Sequence, residues 1–85
     1  MLTVVTIAYN DLDGLQETLK SVGEQDLGLE HIVVDGGSDD GSVGLLSTID
    51  RPDFRFVSEP DRGRYHAMNK GAALANGDTL WFMHA

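Results

Sequence analysis

The sequence predicts one α/β domain: a parallel sheet with helices on both faces. Three observations carry that reading. β-branched, apolar runs alternate with amphipathic stretches along all 85 residues, in the order βαβαβαβ. The runs are mostly apolar at consecutive positions, the pattern of strands buried on both faces. Glycine and carboxylate gather where the runs end, as tight turns out of a strand require. Right-handed crossovers then favour a parallel sheet with helices on both faces, and the order taken for it is 3-2-1-4. In that order the chain reverses between the first and fourth strands, and such sheets bind ligands there, outside the carboxyl ends of the strands.

Thr3-Val4-Val5-Thr6-Ile7-Ala8 is the first strand, ended by Tyr9 and Asn10. Leu12, Leu15, Leu19 and Val22 form one stripe of a helix. Asp13 stands as its N-cap, with Gln16 in the capping-box position and Gly23 as its stop. His31-Ile32-Val33-Val34-Asp35 is the second strand and runs into Gly36-Gly37-Ser38. A short helix over Ser42–Ile49 follows, with Leu45, Leu46 and Ile49 on one side and Ser38 or Asp39 as its cap. Arg51-Pro52-Asp53 is a turn, and Phe54–Ser58 alternates enough to lie near a sheet edge. A helix over Arg64–Ala75 sets Tyr65, Met68, Ala72 and Ala75 on one face and stops at Asn76-Gly77. Thr79–Met83 is the fourth strand. A strand so apolar is a hazard when left as a bare edge, so the chain reads as a fragment of something larger.

Composition removes several classes of function. Apolar residues at 41% and charged residues at 24% exclude disorder by composition. The absence of cysteine excludes a disulfide scaffold and a thiolate zinc site. Fourteen acidic against six basic residues give a net charge of −8, the wrong sign for a nucleic-acid binder. No apolar stretch approaches the ~20 residues of a membrane span. Nothing resembles a signal peptide, so the expected location is the cytoplasm.

The strand ends hold the residues with chemistry to offer. No G-x-G-x-x-G follows the first strand and no G-x-x-x-x-G-K-[ST] occurs, so neither phosphate cradle is present. Tyr9 is a stacking platform for a base, or an aromatic that packs at a strand end. Asp35, Asp39 and Asp40 flank Gly36, Gly37 and Gly41, which suits a carboxylate accepting from a ligand and equally a tight turn. Arg62, near a helix start, suits a phosphate, or pairs with Glu59 or Asp61. His66 and Asn69 share a helical side, with His66 facing solvent, and the three scattered histidines make no metal site.

Taken in order, TVVTIAYN, HIVVDGGSDDGS, SEPDRGRYHAMNKGAALANGD and LWFMHA resemble the nucleotide-binding half of family-2, GT-A-fold glycosyltransferases over essentially the whole chain. The subset with D-G-G-S and E-P-D-x-G-x-Y-x-A-M-N-K-G is the most similar, and many of its members build bacterial cell-surface polysaccharides or glycolipids. The resemblance implies that residues 1–85 form a Rossmann-like half of a GT-A domain. It implies inverting transfer of a sugar from a nucleotide-sugar donor to an acceptor hydroxyl on a glycan or glycolipid. Ala8 and Tyr9 would line base and ribose, Asp35 and Gly36 the base edge, and Arg62 the base or diphosphate. Asn69, Gly71, Ala75 and Gly77 would serve orientation and packing. Two departures stand out. Many relatives carry a second Asp, often on uracil, where this chain has Gly36, and an Asp where it has His66. The implied Mg²⁺ or Mn²⁺ would be held by an Asp-x-Asp motif beyond Ala85. The general base and acceptor region would lie there too, so no catalytic residue is assigned and the 85 residues alone should not turn over. Peripheral attachment at the inner membrane surface and a homo-oligomer are both compatible with the resemblance. Two competing readings are a non-catalytic nucleotide-binding or regulatory α/β module and a receiver-like domain. The second would use Asp11, Asp13 and Asp35, but no matching Lys follows a later strand.

Overall fold

A computed structural model describes residues 1–25 and 28–85. The elements are β1 (Leu2–Ala8), α1 (Leu12–Gly23), β2 (Glu30–Asp35), α2 (Ser42–Leu46), β3 (Phe54–Ser58), α3 (Arg64–Leu74) and β4 (Thr79–His84). All pairings are parallel and the order is β3-β2-β1-β4, the expected one. The register sets Ala8 opposite Asp35, Asp35 opposite Ser58, and Ile7 opposite His84. Four carboxyl ends therefore finish level with one another, and the loops leaving them meet.

The core has two layers because β1 and β2 are apolar on both faces. Ala8, Leu15, Leu19, Val33, Leu46 and Phe54 pack on the side of α1 and α2. Val5, Ile32, Val34 and Ala67 pack on the side of α3. His31 lies fully buried in the first layer. Its Nε2 and the Thr6 hydroxyl share a hydrogen bond of 2.8 Å, and its ring meets Phe54 edge-on at 5.5 Å. Its Nδ1 has no partner among the described residues.

Three local expectations are corrected. The cap of α1 is Asp11, not Asp13: its carboxylate accepts from the Gly14 amide at 3.1 Å. Asp13 instead lies inside the first turn, where the helix dipole still favours its charge. The second helix ends at Leu46, three residues short of Ile49. Beyond it the Thr48 and Ile49 amides close tighter turns onto Leu45 and Leu46, and the Ser47 and Thr48 hydroxyls bond back to carbonyls. Its start is held by Asp40, whose carboxylate accepts from the Ser42 amide and hydroxyl, rather than by Ser38 or Asp39.

The buried face of α3 is the third correction. Tyr65 is 75% exposed and Ala72 is exposed, whereas Ala67 and Gly71 are buried and Leu74 packs beside them. Smallness decides this, not hydropathy. A Cβ on Gly71 would stand 2.3 Å from Val5 Cγ1, so the helix seats directly on β1. Gly71→Ala should recover up to ~1 kcal/mol of helix propensity. It should lose more to overpacking, about 1–3 kcal/mol. The expected net loss in urea denaturation is about 1–2 kcal/mol, and an unchanged or raised midpoint would show that α3 does not sit so close.

Candidate functional site

The loop after β2 is built around one carboxylate. Asp35 is fully buried, and its Oδ2 accepts from the Gly37 amide at 3.1 Å, the Ser38 amide at 2.8 Å and the Ser58 hydroxyl at 2.8 Å. Its Oδ1 accepts from the Ser38 hydroxyl at 2.6 Å. Four donors to one ion explain how a glycine-rich segment holds a single shape. The Glu59 amide also donates to the Asp35 carbonyl, which ties in the loop after β3.

The loop after β1 is stapled to the same frame. Asn10 has φ 47, a left-handed conformation that Asn tolerates, and its amide donates to Ser38 Oγ at 2.8 Å. Its Oδ1 accepts from the Asp39 amide at 2.9 Å, and Asp40 Oδ2 accepts from the Leu12 amide at 3.0 Å. Hydrogen bonds from Ser42 hold the Asp40 carboxyl below the usual carboxylate range, against a smaller opposing effect of burial.

On this platform Tyr9 is 63% exposed beside Gly36. A Cβ on Gly36 would lie 3.2 Å from Tyr9 Cδ1 and 3.2 Å from Asp61 Oδ2, so a side chain there would need both neighbours to give by a few tenths of an ångström. A Cβ on Gly37, at φ 90, would stand 3.4 Å from the Pro60 nitrogen, so the β2 and β3 loops run close beside each other. Arg62 is exposed and its amide donates to His66 Nδ1 at 2.8 Å. His66, half-buried rather than facing solvent, thus secures the start of α3. Glu59 pairs with Lys70 at 3.0 Å and Asp61 Oδ1 accepts from the Gly63 amide. The Arg62 guanidinium is in no ion pair among the described residues. Ala8 lies buried beneath Tyr9, and Asn69 is exposed on α3.

Ala8, Tyr9, Asp35, Gly36 and Arg62 therefore belong to three adjoining loops, with Asp35 turned into the frame. Asn10, Ser38, Ser58 and Asp61 lie in the strand-end segments that the switch-point argument singles out, but sequence reasoning assigned them no part in this frame. Their roles depend on partners 23 to 29 positions away or on loop contact, so no local pattern marks them.

The model of glycosyl transferase family 2 matches residues 3–85. The chain belongs to glycosyltransferase family 2. It is 55% identical over 87 residues to an uncharacterized glycosyltransferase of Mycobacterium tuberculosis, covering 99% of this chain and 33% of that protein. It is 33% identical over 85 residues to an uncharacterized glycosyltransferase of Bacillus subtilis, covering 94% of this chain and 21% of that one. A PGL/p-HBAD biosynthesis glycosyltransferase of M. tuberculosis is 33% identical over 90 residues, covering 100% of this chain and 35% of the relative. The chain thus spans about a third or less of the length of these curated relatives.

For a glycosyltransferase half of this fold, the β3-β2-β1-β4 sheet is the Rossmann-like part, and the three loops sit at its switch point. A separate groove of about 390 Å³ runs over β1 and β4 beside the end of α1, walled mainly by Leu2, Val4, Val22, Trp81 and Met83. Its mainly apolar wall lacks the converging polar groups that fix a small ligand. Among the described residues no group of three His, Asp or Glu could hold a metal ion, so these residues do not fit a divalent cation by themselves. Among them no helix is long and apolar enough to cross a membrane.

Proposed function

We propose that this chain supplies the donor-nucleotide half of an inverting glycosyltransferase. The acceptor is a hydroxyl on a glycan or glycolipid of the cell surface, and the reaction takes place in the cytoplasm, at the inner face of the membrane. Family membership supports transfer of a sugar. The single observation that supports a nucleotide here is Tyr9, 63% exposed at the switch point on a loop frame otherwise closed by hydrogen bonds.

In this reading the base stacks on the Tyr9 ring while Ala8 and Gly36 let it approach the backbone. Arg62, whose guanidinium is outside any ion pair among the described residues, faces the diphosphate from the start of α3. Asp35 acts through the loop it holds. In the transfer the acceptor oxygen attacks the anomeric carbon, the bond to the diphosphate breaks, and the nucleoside diphosphate leaves. The acceptor proton passes to a carboxylate base, which this reading places outside these 85 residues. A Mg²⁺ or Mn²⁺ ion, held by residues other than these 85, belongs to the proposal for the whole protein, where it would neutralise diphosphate charge.

Calorimetric titration with nucleoside diphosphates tests the reading. Base–aromatic stacking is worth about 1–3 kcal/mol, so Tyr9→Ala should weaken binding by roughly tenfold or more. Equal binding by wild type and Tyr9→Ala would remove the stacking role. An absence of binding by wild-type protein would remove the nucleotide reading and favour a regulatory module that binds no nucleotide.

A further inference from the structure

We propose that Asp61 is the residue that selects the base, its Oδ2 accepting from a ring N–H of a nucleobase stacked on Tyr9. This rests on the nucleotide reading above and adds a specificity-determining residue to it.

The frame leaves few carboxylates able to do this. Asp35 is fully buried with both oxygens taken by four donors. Asp40 is held by Leu12 and Ser42, and Asp11 caps α1. Position 36, next to the Tyr9 ring, has no side chain. What fills that place comes from the neighbouring loop: Asp61 Oδ2 lies 3.2 Å from where a Cβ of residue 36 would stand, as close as the Tyr9 ring itself. A glycine at 36 favours this arrangement, because a side chain there would crowd both the carboxylate and the ring.

Asp61 is also prepared for the task. Its Oδ1 accepts from the Gly63 amide at 3.0 Å, which orients the group, and no hydrogen bond within the described residues ends on Oδ2. The residue is half-buried, so a donor reaching it is partly sheltered from water. The Glu59 amide, donating to the Asp35 carbonyl at 3.0 Å, ties the two loops together.

A carboxylate only accepts, so it discriminates by what the base presents. Uracil and thymine at N3 and guanine at N1 carry a ring N–H. Cytosine N3 and adenine N1 present lone pairs that a carboxylate repels. The ligand class is therefore a nucleoside diphosphate, or its sugar ester, whose base has a ring N–H.

The test is calorimetric titration of the full-length protein with UDP, GDP and their ring N-methylated counterparts. Wild type should bind the N–H form of its preferred nucleotide about tenfold more tightly than the methylated form, the difference a charge-assisted bond makes. Asp61→Asn keeps an oxygen for Gly63 and removes the charge. It should reduce that preference to about twofold, mainly by weakening the N–H form. Asp39→Asn, a carboxylate on the other loop, should leave the preference intact. Equal losses for both forms in Asp61→Asn, or a wild type indifferent to methylation, would overturn the assignment while leaving the nucleotide reading standing. The wild-type comparison needs no variant to fold. If no nucleoside diphosphate binds wild type, both readings fall.

Discussion

Asp35→Ala should cost about 3 kcal/mol of folding stability, the largest expected effect of a side-chain truncation in this chain. The substitution removes one acceptor group and strands two amides and two hydroxyls, from Gly37, Ser38 and Ser58. Partly buried donors left without partners cost about 1–3 kcal/mol each. Water reaching the loop recovers part of that sum, so the total falls well short of a fourfold loss. The consequence for function is larger than the number suggests. The same loop positions Ser38 against Asn10, and through Asn10 the segment that carries Tyr9. Denaturant titration should show the stability loss. Amide chemical shifts should move at Gly37 and Ser38 and also at Asn10, two strands' ends away in sequence. A variant as stable as wild type, with the Asn10 shift unmoved, would remove Asp35 from the centre of the frame.

Acid should act through His31. Burial, with the Arg51 charge as a smaller contribution, holds its pKa at about 4 in the folded protein, against an ordinary 6.5. Between those values the unfolded chain takes up a proton that the folded chain refuses. Stability therefore falls as pH drops below 6.5, and the loss is complete below pH 4. The full span corresponds to about 3 kcal/mol, a large share of the ~4–13 kcal/mol an 85-residue domain has available. Glu30 adds to acid loss at lower pH. Burial acts to raise its pKa, but hydrogen bonds from Asn76 and Thr3 and the Arg55 charge outweigh that and leave it lowered. His31→Gln separates the two, since Gln keeps a polar partner for Thr6 and does not titrate. Wild type should lose stability between pH 7 and pH 5 and the variant should not; matching slopes in that window would show that His31 is not the group responsible.

The order of elements was legible because each strand and helix carries its own pattern. Val4-Val5 and Ile32-Val33-Val34 are apolar on both faces, which called for helices on both sides of a parallel sheet, and the sheet has the order β3-β2-β1-β4. The site was legible as a place, because Tyr9, Asp35, Gly36 and Arg62 stand at the ends of strands. It was not legible as an arrangement. Asp35 was expected at the base edge, and its carboxylate is instead buried and saturated.

The same difference holds at the opposite end of the sheet. Glu30 is buried, and it accepts from Thr3 on β1 and from Asn76 beyond α3, 27 and 46 residues away, while Arg55 of β3 reaches it at 3.4 Å. Nothing near Glu30 in the chain marks it as a core residue. The sequence by itself determined which segments are strands and helices and how they are ordered, because periodicity is a property of one element read along its own axis. Only the tertiary structure decided that α3 buries Ala67 and Gly71 rather than Tyr65 and Met68, and which carboxylates turn inward. Those choices depend on register and on the space between elements, which no single stretch of chain contains.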